Sequence, residues 1–295
     1  MMGNSENLSG IIIKAVGGLY TVESPCGLTE CKARGIFRKK GITPLVGDNV
    51  IVSAEQKVIE QVLPRKNSLI RPPLANLDQL VFVISMRSPS PNLTLLDKFI
   101  AVCEYKNIIP LIALTKVDLD NYEKIYDIYS SIGIKVIVID YTRENPVEEI
   151  VRELYDKTSA FTGNTGVGKS TLLNAIDDTL NIATGEISRK LGRGRHTTRH
   201  AQLYKLKYGG YIADTPGFST FETNQYDIIK KDELSDCFRE FAQYKDNCRF
   251  RDCSHTKEKG CAVIEAVENG EISRSRHTSY CEMYEEAKQI KDWED

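Results

Sequence analysis

The string GNTGVGKSTLL holds Gly163-x4-Gly168-Lys169-Ser170, the segment of this chain whose residue types say most about chemistry. Glycines at 163, 166 and 168, with Asn164, Thr165 and Val167 between them, let backbone N–H groups turn inward around phosphate oxygens. Lys169 can reach the β- and γ-phosphates and the Ser170 hydroxyl can ligate Mg2+, while Ser170 and Thr171 open a helix whose N-terminus favours an anion. Asp214-Thr215-Pro216-Gly217 has the form of a γ-phosphate element. There the Asp214 carboxylate would hold a water on Mg2+ and the Gly217 N–H would face the γ-phosphate.

Thr115-Lys116-Val117-Asp118 completes a nucleotide site by reading the base. An ionised Asp118 can accept hydrogen bonds from N1 and N2 of guanine. Adenine has an acceptor at N1 and no 2-amino group, so it would leave the carboxylate mispaired. The Lys116 stem can cover the base plane. This element precedes the phosphate loop by 48 residues, counting from Thr115 to Gly163. Joining the ends of a nucleotide domain and opening it elsewhere produces that order without moving any residue in space, and chain ends that lie close together make it tolerable.

LGRGRHTTRH, residues 191–200, reads as a switch loop. Thr198 or Thr197 would place a hydroxyl on Mg2+. His196 is the candidate for orienting the attacking water, because Phe218, directly after the γ-phosphate element, offers only an apolar ring. Arg193, Arg195 and Arg199 suit RNA phosphates equally well, and the residues alone leave both roles open.

A second constellation is Cys248-x4-Cys253-x-His255-x5-Cys261. Three thiolates and one imidazole complete a tetrahedral Zn2+ shell with no position for water, so the expected role is structural, with one ion. The other five of the eight cysteines show no partner spacing and are expected as core or surface thiols, and His277 as a surface or helix histidine. With no export signal in MMGNSENLSG, metal ligation is the better reading of the cluster than disulfides.

The elements that must hold these residues follow from periodicity. Residues 10–70 read as closely spaced strands, among them GIIIKAVGGLYTVES, ECKARGIF, DNVIVSA and KVIEQVLP, which predicts a small β-barrel. RPPLAN reads as a linker, since paired prolines break regular structure. LDQLVFVISM, IIPLIALTKVD, IKVIVID and KTSAFTG then alternate with helical stretches, which predicts a parallel sheet covered by helices on both faces. AQLYKLKYGGYIAD predicts a hairpin, and the chain beyond Tyr226 reads as mainly helical. Length alone allows about two domains for 295 residues, and the pattern changes divide the chain into expected domains 1–70, 71–225 and 226–295.

Composition excludes some classes. No apolar run approaches the ~20 residues of a membrane span, so a cytoplasmic protein without a membrane partner is expected. The net charge of −2 gives no global nucleic-acid signal, but residues 1–73 carry ten Lys/Arg against six Asp/Glu. Arg34, Arg38, Lys39 and Lys40 crowd the barrel segment, and Arg249, Arg251, Lys257 and Lys259 crowd the cysteine loop. Basic loops on a barrel and on a zinc knuckle suit RNA. A module that uses nucleotide state only to set RNA affinity remains a rival reading. Asp118 and the lack of a second-substrate lid argue against a P-loop kinase.

With TKVD, GNTGVGKSTLLN, GRGRHTTRH, DTPGF and CRFRDCSHTKEKGCAV in this order, nearly the whole chain resembles the circularly permuted GTPases of small ribosomal subunit biogenesis. The resemblance implies an α/β protein with an N-terminal OB-fold barrel, a permuted P-loop GTPase domain and a C-terminal zinc domain. It also implies GTP and GDP as ligands, ribosome-stimulated hydrolysis late in subunit maturation, and docking on rRNA near the decoding region by a monomer. The chain departs from the usual GTPase pattern at Thr115, where Asn is common. It also reads VIDYTREN where a Ser-Ala-Lys-like loop is expected.

Overall fold

A computed structural model describes residues 7–180, 182, 202–214 and 229–289. Five strands close into a barrel: β1 Asn7–Val16, β2 Leu19–Ser24, β3 Gly27–Ala33, β4 Asn49–Ser53 and β5 Val58–Val62, in the order β1-β2-β3-β5-β4. Every contact is antiparallel except the parallel pair β3–β5. Ile12, Val22, Cys31, Val50, Val52 and Ile59 point inward and are fully buried, as the period of two along a strand requires. The expected strand ECKARGIF is shorter than the sequence suggested. It ends at Ala33, and Gly35–Lys39 turns into a short helix, α1, that buries Phe37 against the barrel core.

RPPLAN is not a loose linker. Ser68–Leu69 (β6) and Leu74–Ala75 (β7) pair as a small hairpin with both prolines in its turn. The hairpin is fastened to the barrel. Ala75 N–H donates to the Val46 carbonyl at 2.9 Å, and Asn76 Nδ2 donates to the Gly47 carbonyl at 2.9 Å. A Cβ at Gly47 would fall 2.1 Å from the Ala75 oxygen, so only glycine permits this approach.

The chain then builds a six-stranded sheet from β8 Gln79–Ser85, β9 Ile109–Thr115, β10 Lys135–Val138, β11 Thr158–Thr162, β12 Leu203–Lys205 and β13 Tyr211–Asp214. Their spatial order is β10-β9-β8-β11-β13-β12, parallel throughout except for β12, which forms the expected hairpin with β13. Alternate strand residues feed two cores. Leu80, Phe82, Ile112 and Leu114 meet α2 (Leu93–Tyr105) and α3 (Glu123–Ser131), while Val81, Val83, Leu111 and Phe161 meet α4 (Glu148–Leu154) and α5 (Lys169–Ile176). That is why β8 reads as an unbroken apolar run rather than an alternating one.

The C-terminal part is helical in short pieces: α6 Lys231–Leu234, single turns between 235 and 247, α7 Ala262–Glu268 and α8 Arg274–Ala287. α8 packs against α2, so the last helix lies on the nucleotide-type sheet domain rather than apart from it. Among the described residues, no helix is long and apolar enough to cross a membrane.

Candidate nucleotide site and metal centre

From β8 the chain builds outward through β9 and β10 on one side, then returns to β11 and β13 on the other side of β8, so the strand order reverses between β8 and β11. A crevice at the carboxyl ends of such strands is where ligands bind in open α/β sheets. The phosphate-loop residues start at the end of β11. A Cβ at Gly163 would lie 2.5 Å from the Val83 carbonyl oxygen and 2.9 Å from Val167 Cγ2, so the loop can hug β8 only with glycine there. Gly166 and Gly168 take φ values of +87° and +94°, which turn successive N–H groups to one side before α5 begins at Lys169. This cradle fits a polyphosphate. Ser170, in the first turn of α5, is half-buried beside it.

The guanine-type element ends β9 and touches this loop directly. Thr115 Oγ1 donates to the Val167 carbonyl at 2.6 Å, and Thr115 itself is buried. Residues 52 positions apart thus share a hydrogen bond, and the two motifs adjoin in space as parts of one nucleotide site must. At position 115 the hydroxyl points at the phosphate loop. Lys116 adopts φ +53°, and its Nζ donates to the Ser88 carbonyl at 2.6 Å. Asp118, two residues further on, is exposed.

Sequence reasoning had no access to Ser88, because nothing in MRSPSPN marks one backbone carbonyl as a partner for Lys116. The VIDYTREN loop lies beside the guanine element, since Ile139 N–H donates to the Leu114 carbonyl at 2.8 Å. Asp140 closes that loop on itself by accepting from the Thr142 hydroxyl at 2.7 Å and the Thr142 N–H at 3.0 Å. Those two bonds hold its carboxyl below the usual range. Asp214 ends β13 and pairs in register with Phe161 of β11, while the rest of its motif, 215–217, lies outside the described residues. His196, Thr197, Thr198, Gly217, Phe218 and Arg193, Arg195 and Arg199 lie outside the described residues.

The four expected metal ligands converge. Their ligand atoms all lie within 4.8 Å of one another. Cys248 Sγ and Cys261 Sγ each stand 3.5 Å from His255 Nδ1, and the two sulfurs are 3.8 Å apart. Zn–S and Zn–N bonds of ~2.3 and ~2.0 Å in a tetrahedron give edges of about the same lengths. The residues therefore fit a four-coordinate ion. Burial raises the Cys253 thiol, pushes that of Cys261 up to about 12, and lowers the His255 imidazole. A neutral imidazole is ready to ligate, and a bound cation would supply the charge that ionises the thiols.

Outside the ligands, His277 Nε2–H donates to the His255 carbonyl at 2.7 Å and the Tyr280 hydroxyl to the Ser254 carbonyl at 2.8 Å. His277 is thus a helix histidine, but one that braces the metal loop. Its place on α8, 22 residues after His255, left no spacing signal in the sequence. Cys31, Cys103 and Cys237 are buried free thiols, Cys26 is exposed and Cys281 is half-buried.

Comparison with known proteins agrees with this geometry. The family description "RsgA GTPase" matches residues 62–224, and "RsgA N-terminal domain" matches residues 9–58. A small ribosomal subunit biogenesis GTPase RsgA from Caldanaerobacter subterraneus subsp. tengcongensis is 43% identical over 96% of this chain and 97% of its own. One from Geobacillus kaustophilus is 43% identical, with 96% and 98% covered. Among solved structures, YjeQ from Thermotoga maritima superposes with a TM-score of 0.81 at 34% identity, covering 97% of this chain and all of that one. YloQ, described as a circularly permuted GTPase, gives 0.78 at 37% identity, with 99% and 98% covered.

Proposed function

The chain belongs to the RsgA GTPase family, and we propose that it hydrolyses GTP to GDP and phosphate while bound to the small ribosomal subunit, as a factor in that subunit's late maturation. The observation that carries this reading is the Thr115–Val167 hydrogen bond, which joins a guanine-type element to a phosphate cradle in the permuted order. Relatives that cover almost the whole chain carry the name small ribosomal subunit biogenesis GTPase.

In this reading Asp118 accepts from the guanine edge, and Lys116 leaves Ser88 to lie along the base. The backbone from Gly163 to Gly168 surrounds the phosphates, and Lys169 neutralises the charge that develops on the transferred group. Ser170, Thr198 and Asp214, the last through water, would hold Mg2+, which supplies further charge neutralisation. His196 positions the attacking water, with Thr197 as the alternative switch hydroxyl. The Cys248, Cys253, His255 and Cys261 site takes one structural Zn2+, and the barrel and zinc loop dock on rRNA. The protein works as a cytoplasmic monomer.

The test is steady-state GTP hydrolysis with and without purified small subunits. A subunit-dependent rise in turnover is expected. An unchanged rate alongside GTP-dependent subunit binding would replace the enzyme reading with that of a nucleotide-gated RNA-binding module.

A further inference from the structure

The metal cluster holds a loop whose outer side carries one unburied aromatic ring. Phe250, between Cys248 and Cys253, is 47% exposed. Phe250 is the one exposed large apolar side chain among the described residues 229–289, so the ring is not part of a wider apolar patch. About half of its apolar surface therefore stays in water, an unfavourable placement that a partner could relieve.

The ring is nevertheless held in place. Arg249 N–H donates to the Gly260 carbonyl at 2.9 Å, which closes the loop across its base. The Arg249 stem lies along Gly260 (φ +80°), where an added Cβ would come within 3.1 Å of Arg249 Cβ. From there the guanidinium carbon sits 5.5 Å from the Phe250 ring centroid, within cation–π range.

The loop that carries the ring, 248–261, holds more cations than carboxylates. Arg249, Arg251, Lys257 and Lys259 are all exposed. Against them stand Asp252, which is exposed, and Glu258, which is turned into the loop. The Glu258 carboxylate accepts from the N–H groups of Ser254, Thr256 and Lys257 and from the Ser254 hydroxyl. A lone flat apolar ring among cations suits a polyanion that also presents flat apolar faces. Single-stranded RNA has both, phosphates for the cations and a base face for the ring. A protein partner would call for a broader apolar surface.

We propose that Phe250, backed by Arg249, is a stacking platform for one unpaired RNA base, with Arg251, Lys257 and Lys259 on the flanking phosphates. This rests on the small-subunit reading above and names one point of contact within it.

Binding of the zinc-loaded full chain to purified small subunits and to a single-stranded oligouridylate, measured in parallel, tests both claims. Phe250→Ala and Phe250→Leu should weaken binding to both probes by roughly 5- to 150-fold, the span of one base stack. Phe250→Trp should keep it, and all three should retain wild-type zinc content and melting temperature, because the ring is outside the core. A Leu variant that binds both probes like wild type overturns the platform, as does a Trp variant that loses as much as Leu. Loss on subunits alone would assign the ring to a protein contact and also overturn it. Wild-type protein that binds oligouridylate but not subunits would overturn the small-subunit reading and leave the platform standing.

Discussion

Position 115 shows how much one hydroxyl can decide. Thr115 is buried and donates to the Val167 carbonyl at 2.6 Å, so it fixes the guanine element against the phosphate cradle. Thr115→Val keeps the shape and removes the donor, which costs about 1–3 kcal/mol if the carbonyl is left unpaired. GDP should then raise the melting temperature less than it does in the wild type; an identical shift would mean the contact is idle. Asp118 is exposed and should act through the base alone. Asp118→Asn is expected to weaken GTP and admit xanthosine triphosphate, because an amide donates where the carboxylate accepted, and unchanged GTP affinity would remove Asp118 from the site. His196→Ala is expected to lower subunit-stimulated turnover ~10²–10⁴-fold without changing GTP affinity, the usual value of a positioned base or water-orienting group. Normal stimulated turnover would return His196 to the role of a loop residue.

At the scale of elements, α2 and α8 are held together by a buried ionic cluster. Arg276 donates to Asp97 at 2.8 Å and to both Glu240 oxygens at 2.8 and 3.2 Å, and the Tyr129 hydroxyl donates to Asp97 at 2.8 Å. Its guanidinium carbon also lies 4.6 Å from the Phe238 ring centroid. Burial raises the Asp97 carboxyl, while Arg276 and the hydrogen bonds pull it back. Such a cluster adds little net stability over apolar packing, but losing one partner strands the others. Arg276→Met should therefore destabilise the chain by about 3–5 kcal/mol in urea unfolding. Adding Asp97→Asn and Glu240→Gln should recover part of that loss. A fully additive triple variant would show that the three groups act separately.

Across the whole molecule, the metal loop and the nucleotide site share one scaffold. Asn92, whose side chain caps the start of α2, sits beside a small apolar cavity of about 60 Å³ that is also lined by Phe82, Asn164 and Val167. The same helix carries Asp97, and Glu104 near its end bonds Arg239 of the C-terminal part. Phe238, Phe241 and Tyr280 join the core that also contains Phe82, Phe99 and Tyr129. Cys253→Ser, or removal of the metal by a chelator, is expected to loosen the C-terminal part and lower the melting temperature of the nucleotide domain with it. Calorimetry that finds the nucleotide-domain transition unmoved would show the two parts to be thermally independent.

Much of this was legible in order and spacing. The glycine loop, TKVD and the Cys/His cluster are local strings, so candidate chemistry could be assigned to them from sequence, as could the permutation, because motif order is a property of the chain. Alternating strands and helices announced the parallel sheet, since β8 and β9 are buried on both faces and read as apolar runs. What the sequence left open depended on contacts between distant residues. Nothing in SRSRHTSY marks Arg276 for the interior, yet packing α8 on α2 makes it one of the most deeply buried side chains among the described residues. RPPLAN carries breaker residues, but Gly47 lets the hairpin it belongs to close against the barrel. Thr115 departs from the more common Asn, and only the fold places its hydroxyl against the Val167 carbonyl. Local propensity and motif chemistry act through neighbours in the chain and are readable there, whereas burial and ion pairing arise only when the fold brings remote segments within a few ångströms.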